Sequence, residues 1–257
     1  MVHRDAFAGE NPQWSTNLEF LRSLQKPRAI RVTARRFDPS SAISPTEKIV
    51  HFVRHGQGYH NLAAAQPGVA CHCATGDSAK LCPYLDPALT DARLTEAGEE
   101  EARAAKVQVG DRPIQLVVVS PLTRTLQTAS LAFLPQAPTP FLAHEAIREH
   151  LGVHVVNKRS RLSLLATQFP HVDFSLLTSP DADDGFSASV RESRQEMADR
   201  AYPIFECLKE RAETEIAVVS HASLLLTIFN SVMDVEEEAL RSIFRTAEVR
   251  SVVVNFS

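Results

Sequence analysis

Two histidines and two arginines stand where short apolar runs of the 257-residue chain come to an end. Residues 49 to 53 (IVHFV) run into Arg54-His55-Gly56. Residues 114 to 120 (IQLVVVS) end at Ser120 with Arg124 four positions on, and residues 215 to 221 (EIAVVSH) close on Ser220-His221. A neutral imidazole can attack phosphorus and split a transfer into two easier steps. Guanidinium groups bind phosphate oxygens through paired hydrogen bonds and keep their charge at any working pH. These residue types therefore suit a phosphoryl group, whose transfer is catalysed mostly by positioning and charge stabilisation. Each alone has a plainer explanation, a turn histidine or a solvated arginine. Three strand ends together point to an anion site.

Such side chains meet only if the runs are strands of one sheet. The runs at 114 to 120 and 215 to 221 are almost continuously apolar, as strands buried on both faces are, and residues 249 to 256 (VRSVVVNF) form a fourth run. Between them, residues 94 to 109, 121 to 134 and 189 to 213 carry apolar residues at helical spacing. This alternation predicts an α/β fold, a mostly parallel central sheet flanked by helices on both faces. In such a sheet ligands bind beyond the carboxyl ends of the strands, where His55 and His221 stand. Backbone N–H groups entering a helix at GQGYHN would add donors to the same anion. Gly56 would let the backbone approach phosphate closely.

Residues 47 to 257 read as one domain. Residues 1 to 46 read as an irregular N-terminal leader with Pro12, Pro27, Pro39 and Pro45 and a short helical hint at TNLEFLRSL. The leader is basic between residues 22 and 36, as an organelle transit peptide would be, but Asp5, Glu10 and Glu19 favour a solvated segment over the domain. Residues 67 to 92 and 135 to 185 read as long loops that would roof a site.

Composition excludes several classes. With 44% hydrophobic and 23% charged residues the chain has an ordinary globular balance, and its net charge of -4 speaks against a general affinity for nucleic acid. No apolar run reaches membrane-spanning length, and no secretory signal opens the chain, so a cytoplasmic protein with reduced thiols is expected. Cys71, His72, Cys73 and Cys82 lie close together, but structural zinc usually repeats a cysteine pair, so free thiols are expected there and no metal or other cofactor. No Gly-x-Ser-x-Gly supports a Ser-His hydrolase built on Ser120 or Ser223. No His-Glu-x-x-His occurs either, and His51 and His55 on a strand would not share a helix face. Nothing in the pattern specifies an oligomeric state.

The motifs VRHGQGYHN, LTEAG, VVSPLTRTLQTA, HEAIREHLG and AVVSHASLL occur in this order over about residues 48 to 256, and together they resemble the histidine phosphatase superfamily, also called phosphoglycerate mutase-like. The resemblance implies a metal-independent phosphomonoester hydrolase acting through a phosphohistidine on a small phosphorylated metabolite. A cofactor-dependent phosphoglycerate mutase and a catalytically idle phosphate-binding or interaction module are the alternatives. It implies His55 as the nucleophile, with Arg54, Arg124 and His221 as the rest of the phosphate pocket. Asn61 matches a phosphate-contacting asparagine, and Gln57 and Ala222 are further substrate contacts beside the two histidines. Glu149 matches the acid that protonates the leaving oxygen, with Glu145 as the second candidate. More narrowly, LGVHVVNKRS followed by FPHVDFSLL resembles plant and fungal phosphoglycerate mutase-like proteins. On that likeness Lys158 and Arg159 either reach a second anionic group or are solvated cations. A glycolytic mutase usually has a Glu and a Trp where this chain has Gln57 and His60, which favours hydrolysis.

Overall fold

Alternation of burial along single strands explains how the sheet is built. In the run around Phe52, Val50 and Phe52 face one apolar core and Val53 the other; Ile216 and Val218 then oppose Ala217 and Val219 in the same way. Strands buried on both faces need covering on both, and the helices supply it. The computed structural model describes residues 18–66, 82–134, 139–177 and 181–257. Its strands are β1 (Val32–Arg36), β2 (Glu47–Arg54), β3 (Leu116–Val119), β4 (Phe141–Ala143), β5 (Val172–Asp173), β6 (Glu215–Ser220), β7 (Asp234–Val235) and β8 (Val249–Phe256). They form one sheet in the order β5-β4-β3-β6-β2-β8-β1-β7. The sheet is parallel apart from β8, which runs antiparallel to both β1 and β2.

The helices are α1 (Leu18–Ser23), α2 (Tyr59–Ala64), α3 (Glu96–Val109), α4 (Thr123–Phe133), α5 (Leu162–Gln168), α6 (Arg194–Ala201), α7 (Pro203–Glu210) and α8 (Ala222–Thr227). α3, α4 and α5 contribute Ala105, Leu126 and Leu165 to one core; α6, α7 and α8 contribute Met197, Phe205 and Leu224 to the other. Residues 194 to 210, one periodic stretch in the sequence, divide into α6 and α7 at Pro203, which has no N–H to continue the ladder. α3 begins on the Thr95 hydroxyl, which accepts the Gly98 N–H.

Part of the expected leader belongs to the fold. β1 pairs along its length with β8, and Leu21 of α1 is fully buried. β1 was illegible because its five residues, VTARR, carry only two buried side chains and the strand lies near the sheet edge. The expected loop at 135 to 185 likewise holds β4, β5 and α5, elements too short to show a period. Among the described residues no helix is long and apolar enough to cross a membrane.

Candidate active site

Because β2, β3 and β6 are parallel neighbours, their carboxyl ends lie side by side. Arg54 pairs across from Ser220, and the His55 N–H donates to the Ser220 carbonyl at 3.0 Å. The strand-end residues are thereby brought to one cleft. Arg54, His55, Asn61, Arg124, Glu149 and Ala222 all line it.

His55 is buried, and its tautomer follows from its neighbour. Nδ1 lies 2.7 Å from the Gly56 carbonyl oxygen, which can only accept, so Nδ1 carries the proton. Burial first, then the charges of Arg124 and Arg54, hold the ring's pKa well below its usual value. A neutral ring with its proton on Nδ1 has its free lone pair on Nε2. That is the state a nucleophile needs.

The His221 ring lies 5.1 Å from that of His55, centre to centre. Its Nε2 is 2.8 Å from the Ser120 hydroxyl, while its buried Nδ1 has no partner among the described residues. A serine-protease-like triad would need a carboxylate on that Nδ1, so Ser120 and His221 do not form one. Burial and then Arg124 depress the pKa of His221 strongly as well. His221, expected as part of the phosphate pocket, is fully buried beside His55 and does not itself line the cleft.

The arginines are anchored by their Nη groups. Arg54 donates from Nη1 to the Phe244 carbonyl at 2.7 Å. Arg124 donates to the Val156 carbonyl at 2.8 Å and to Asn157 Oδ1 at 2.9 Å. Burial lowers the Arg124 pKa to about 10, with Glu149 and Asp91 acting the other way, so it stays charged at neutral pH. Asp91 fixes the start of α4 by accepting from the Thr123 N–H and hydroxyl, both at 2.8 Å. Asn61 accepts the Gly58 N–H at 3.0 Å through Oδ1, and its amide NH2 has no acceptor among the described residues.

Glu149 accepts from the His150 N–H at 2.9 Å and, through its other oxygen, from the Ser223 N–H at 3.3 Å. Arg200 holds this stretch from behind, donating to the carbonyls of Ala146, Arg148 and Glu149. Glu145 does not reach the cleft and is bound instead to Arg148 at 3.0 Å and Arg159 at 2.9 Å. Between the two carboxylates, the geometry singles out Glu149.

Three expected substrate contacts lie elsewhere. Gln57 accepts the Thr95 hydroxyl at 2.9 Å and latches β2 to the start of α3. Arg159 is buried and donates to the Ser160 and Ala182 carbonyls. Lys158 is exposed with its ammonium 5.5 Å from the Phe186 ring centre. Neither of this pair lines the cleft. Gly56 also serves a different purpose from the one expected. A Cβ there would lie 2.2 Å from the Gly98 carbonyl oxygen, and one on Gly98 would lie 2.0 Å from that of Gln57. The two glycines let α3 dock against the loop that carries His55.

Sequence reasoning missed His60, Tyr84, His154, Arg191 and Arg194, which line the cleft too. One signal was present. Arg194 opens α6, where the helix dipole disfavours a cation, so an arginine there calls for another reason. Of the cysteine cluster, Cys71, His72 and Cys73 lie outside the described residues. Cys82 is buried with its Sγ 3.9 Å from His154 Nε2. Among the described residues no group of three or more histidine, cysteine or acidic side chains is placed to hold a metal ion. His51, the other partner considered for a metal, is instead held between Ser251 at 2.7 Å and Glu215 at 3.0 Å.

Comparison with known proteins gives the family. Residues 88–256 match the model of the histidine phosphatase superfamily, branch 1. That match begins after Arg54-His55-Gly56, and it is the sheet that joins the signature to the rest. Phosphoglycerate mutase-like protein 1 of Arabidopsis thaliana is 31% identical over 243 residues, covering 80% of this chain and 81% of the relative. Phosphoglycerate mutase-like protein 2 of the same plant is 32% identical, covering 75% and 69%. Among solved structures, a phosphoglycerate mutase from Bacillus anthracis superposes with a TM-score of 0.54 at 16% identity, covering 82% of this chain and 91% of that one. These matches show the family: this chain belongs to the histidine phosphatase superfamily.

Proposed function

We propose that the chain is a metal-independent phosphomonoester hydrolase that works through a phosphohistidine on His55, acting on a small phosphorylated metabolite. The observation that carries this reading is the fixed neutral tautomer of His55 between two charged arginines. In the first step the Nε2 lone pair attacks phosphorus and the P–O bond to the leaving group breaks. Arg54, Arg124 and the Asn61 amide hold the non-bridging oxygens, and His221, tied to Ser120 and packed beside His55, keeps the nucleophile's ring in place. Glu149 gives its proton to the departing oxygen. In the second step Glu149 takes a proton from water, the resulting hydroxide attacks phosphorus, and the P–N bond breaks to return the lone pair to Nε2. Phosphate leaves.

A mutase would use the same first step and return the phosphoryl group to a bound acceptor instead of water; the names of the Arabidopsis relatives keep this second reading in play. The test is hydrolysis of an aryl phosphate with chelator present, by wild type and by His55→Ala. Turnover that survives the chelator and vanishes in the variant is expected. Turnover that persists in His55→Ala defeats the reading, and turnover only with a bisphosphorylated primer replaces it by the mutase.

A further inference from the structure

The cleft holds more positive charge than one phosphoryl group needs. Arg54 and Arg124 flank His55 and account for that group. Arg194, on the first turn of α6, is a third arginine of the same kind, 1% exposed and on the cleft wall. Its Nη1 is tied to the Ser223 carbonyl at 3.2 Å and the Thr227 hydroxyl at 3.4 Å. No acceptor among the described residues engages its Nε. Buried arginines outside the cleft each have a carboxylate at ion-pair distance: Arg148 has Asp183, Arg159 has Glu145, and Arg250 has Glu248. Arg194 has none among the described residues. Glu149 and Glu192 offset its charge only from beyond ion-pair distance, and a buried cation so loosely paired is costly unless a ligand supplies a closer anion.

Position says which part of the ligand this is. Arg194 binds the Ser223 carbonyl, and Glu149 accepts the N–H of the same residue. Arg194 therefore stands beside Glu149, on the side from which the leaving oxygen is protonated. Arg191 lines the same wall, positioned by Nη1 donations to the His150 and Gly152 carbonyls at 3.2 and 2.6 Å. We propose that Arg194 is a specificity residue, and that the natural substrate carries a second anionic group on its leaving portion, close to the ester oxygen. This rests on the phosphatase reading for what is cleaved, but the subsite is tested through binding as well as turnover. The substrate class is then a phosphorylated small acid rather than a neutral sugar or nucleoside phosphate monoester. The leaving portion departs as an alcohol with its acid group still ionised.

The experiment uses phosphoglycolate and its neutral amide, which share the phosphoryl group and differ in one charge. Hydrolysis is measured with wild type, Arg194→Met and Arg194→Lys, and binding of both compounds by calorimetry on His55→Ala with and without Arg194→Met. Wild type is expected to favour the acid over the amide by about tenfold or more in kcat/KM, as a charge-assisted hydrogen bond allows. Arg194→Met is expected to bring that ratio close to one, and Arg194→Lys to leave it between. The calorimetric ratio on His55→Ala should follow the same pattern. If Arg194→Met does not fold, Arg194→Lys and the wild-type ratio still decide. Turnover without preference for the acid overturns the inference and leaves the phosphatase standing. An acid preference in binding that depends on Arg194, with no turnover by wild type, does the reverse. Equal losses on both compounds with a displaced acid limb of the pH profile would mean that Arg194 serves only as the electrostatic partner of Glu149, and the inference fails.

Discussion

Six arginines are buried among the described residues, and they divide by place. Arg148, Arg159 and Arg250 lie outside the cleft and each meets a carboxylate, Arg148 most completely: it forks onto Asp183 with two bonds of 2.7 Å. Arg54, Arg124 and Arg194 line the cleft and are held by neutral acceptors, carbonyl, amide and hydroxyl oxygens and, for Arg194, also the Met197 sulfur. Neutral acceptors fix a guanidinium's position without cancelling its charge. The first group holds loops in shape. The second stores positive potential for an arriving anion, at some cost to the fold.

The difference can be broken from either side. Arg148→Met leaves Asp183 and part of Glu145 uncompensated, so a stability loss of about 3–5 kcal/mol is expected in denaturant unfolding. A loss below 1 kcal/mol would show that the pair is ornamental. Arg124→Met should invert the pattern. Aryl phosphate turnover falls by about 10²–10³-fold, while unfolding changes by no more than about 1–2 kcal/mol, from the Val156 and Asn157 hydrogen bonds. A variant that unfolds readily but keeps its turnover would put Arg124 in the wrong group.

Gly98→Ala probes how the cleft is framed. Its methyl would meet the Gln57 carbonyl at 2.0 Å, between two backbones that cannot swing aside. A cost of about 1–3 kcal/mol is expected, with turnover lowered because the His55 loop is displaced. Unchanged melting and turnover would mean that α3 is free to shift.

The smallest effect is on pH. His55, His60 and His221 have folded pKa values well below the ordinary 6.5, through burial and then Arg124. Between those lowered values and 6.5 the unfolded chain binds more protons than the folded one, so stability rises with pH across that window. It is fully present above about 6.5 and is lost as pH falls toward the folded values. Melting temperature should therefore drop between pH 7.5 and 5.5. Inorganic phosphate should lessen the drop, because an anion beside the rings makes their protonation easier. A melting temperature flat with pH would argue against neutral buried rings.

Much of the site was legible because a strand end is a fixed place. Arg54, His55, Arg124 and His221 follow apolar runs, and the parallel pairing of β2, β3 and β6 leaves little freedom in where those ends meet. Glu149 and Asn61 were legible only through the resemblance, since each lies on a segment without periodicity. The region beyond was not legible. Lys158 and Arg159 look in sequence like the natural second pair of cations, but the chain between residues 145 and 160 turns Arg159 inward onto Glu145. Arg191 and Arg194 sit in a stretch that reads as solvated acid-base pairs. Glycine packing was equally hidden, because the partner of Gly56 is Gly98, 42 residues away.

The most direct measurement of the central claim is capture of the covalent intermediate. Wild-type protein mixed with an aryl phosphate labelled in the phosphoryl group and quenched in alkali within the first turnover should carry label that is stable to base, labile to acid, and located by peptide mapping on His55. His55→Asn should carry none. Label on any other residue, or turnover by wild type with no trapped label and with phosphate oxygen exchange showing direct attack by water, would contradict a phosphohistidine mechanism.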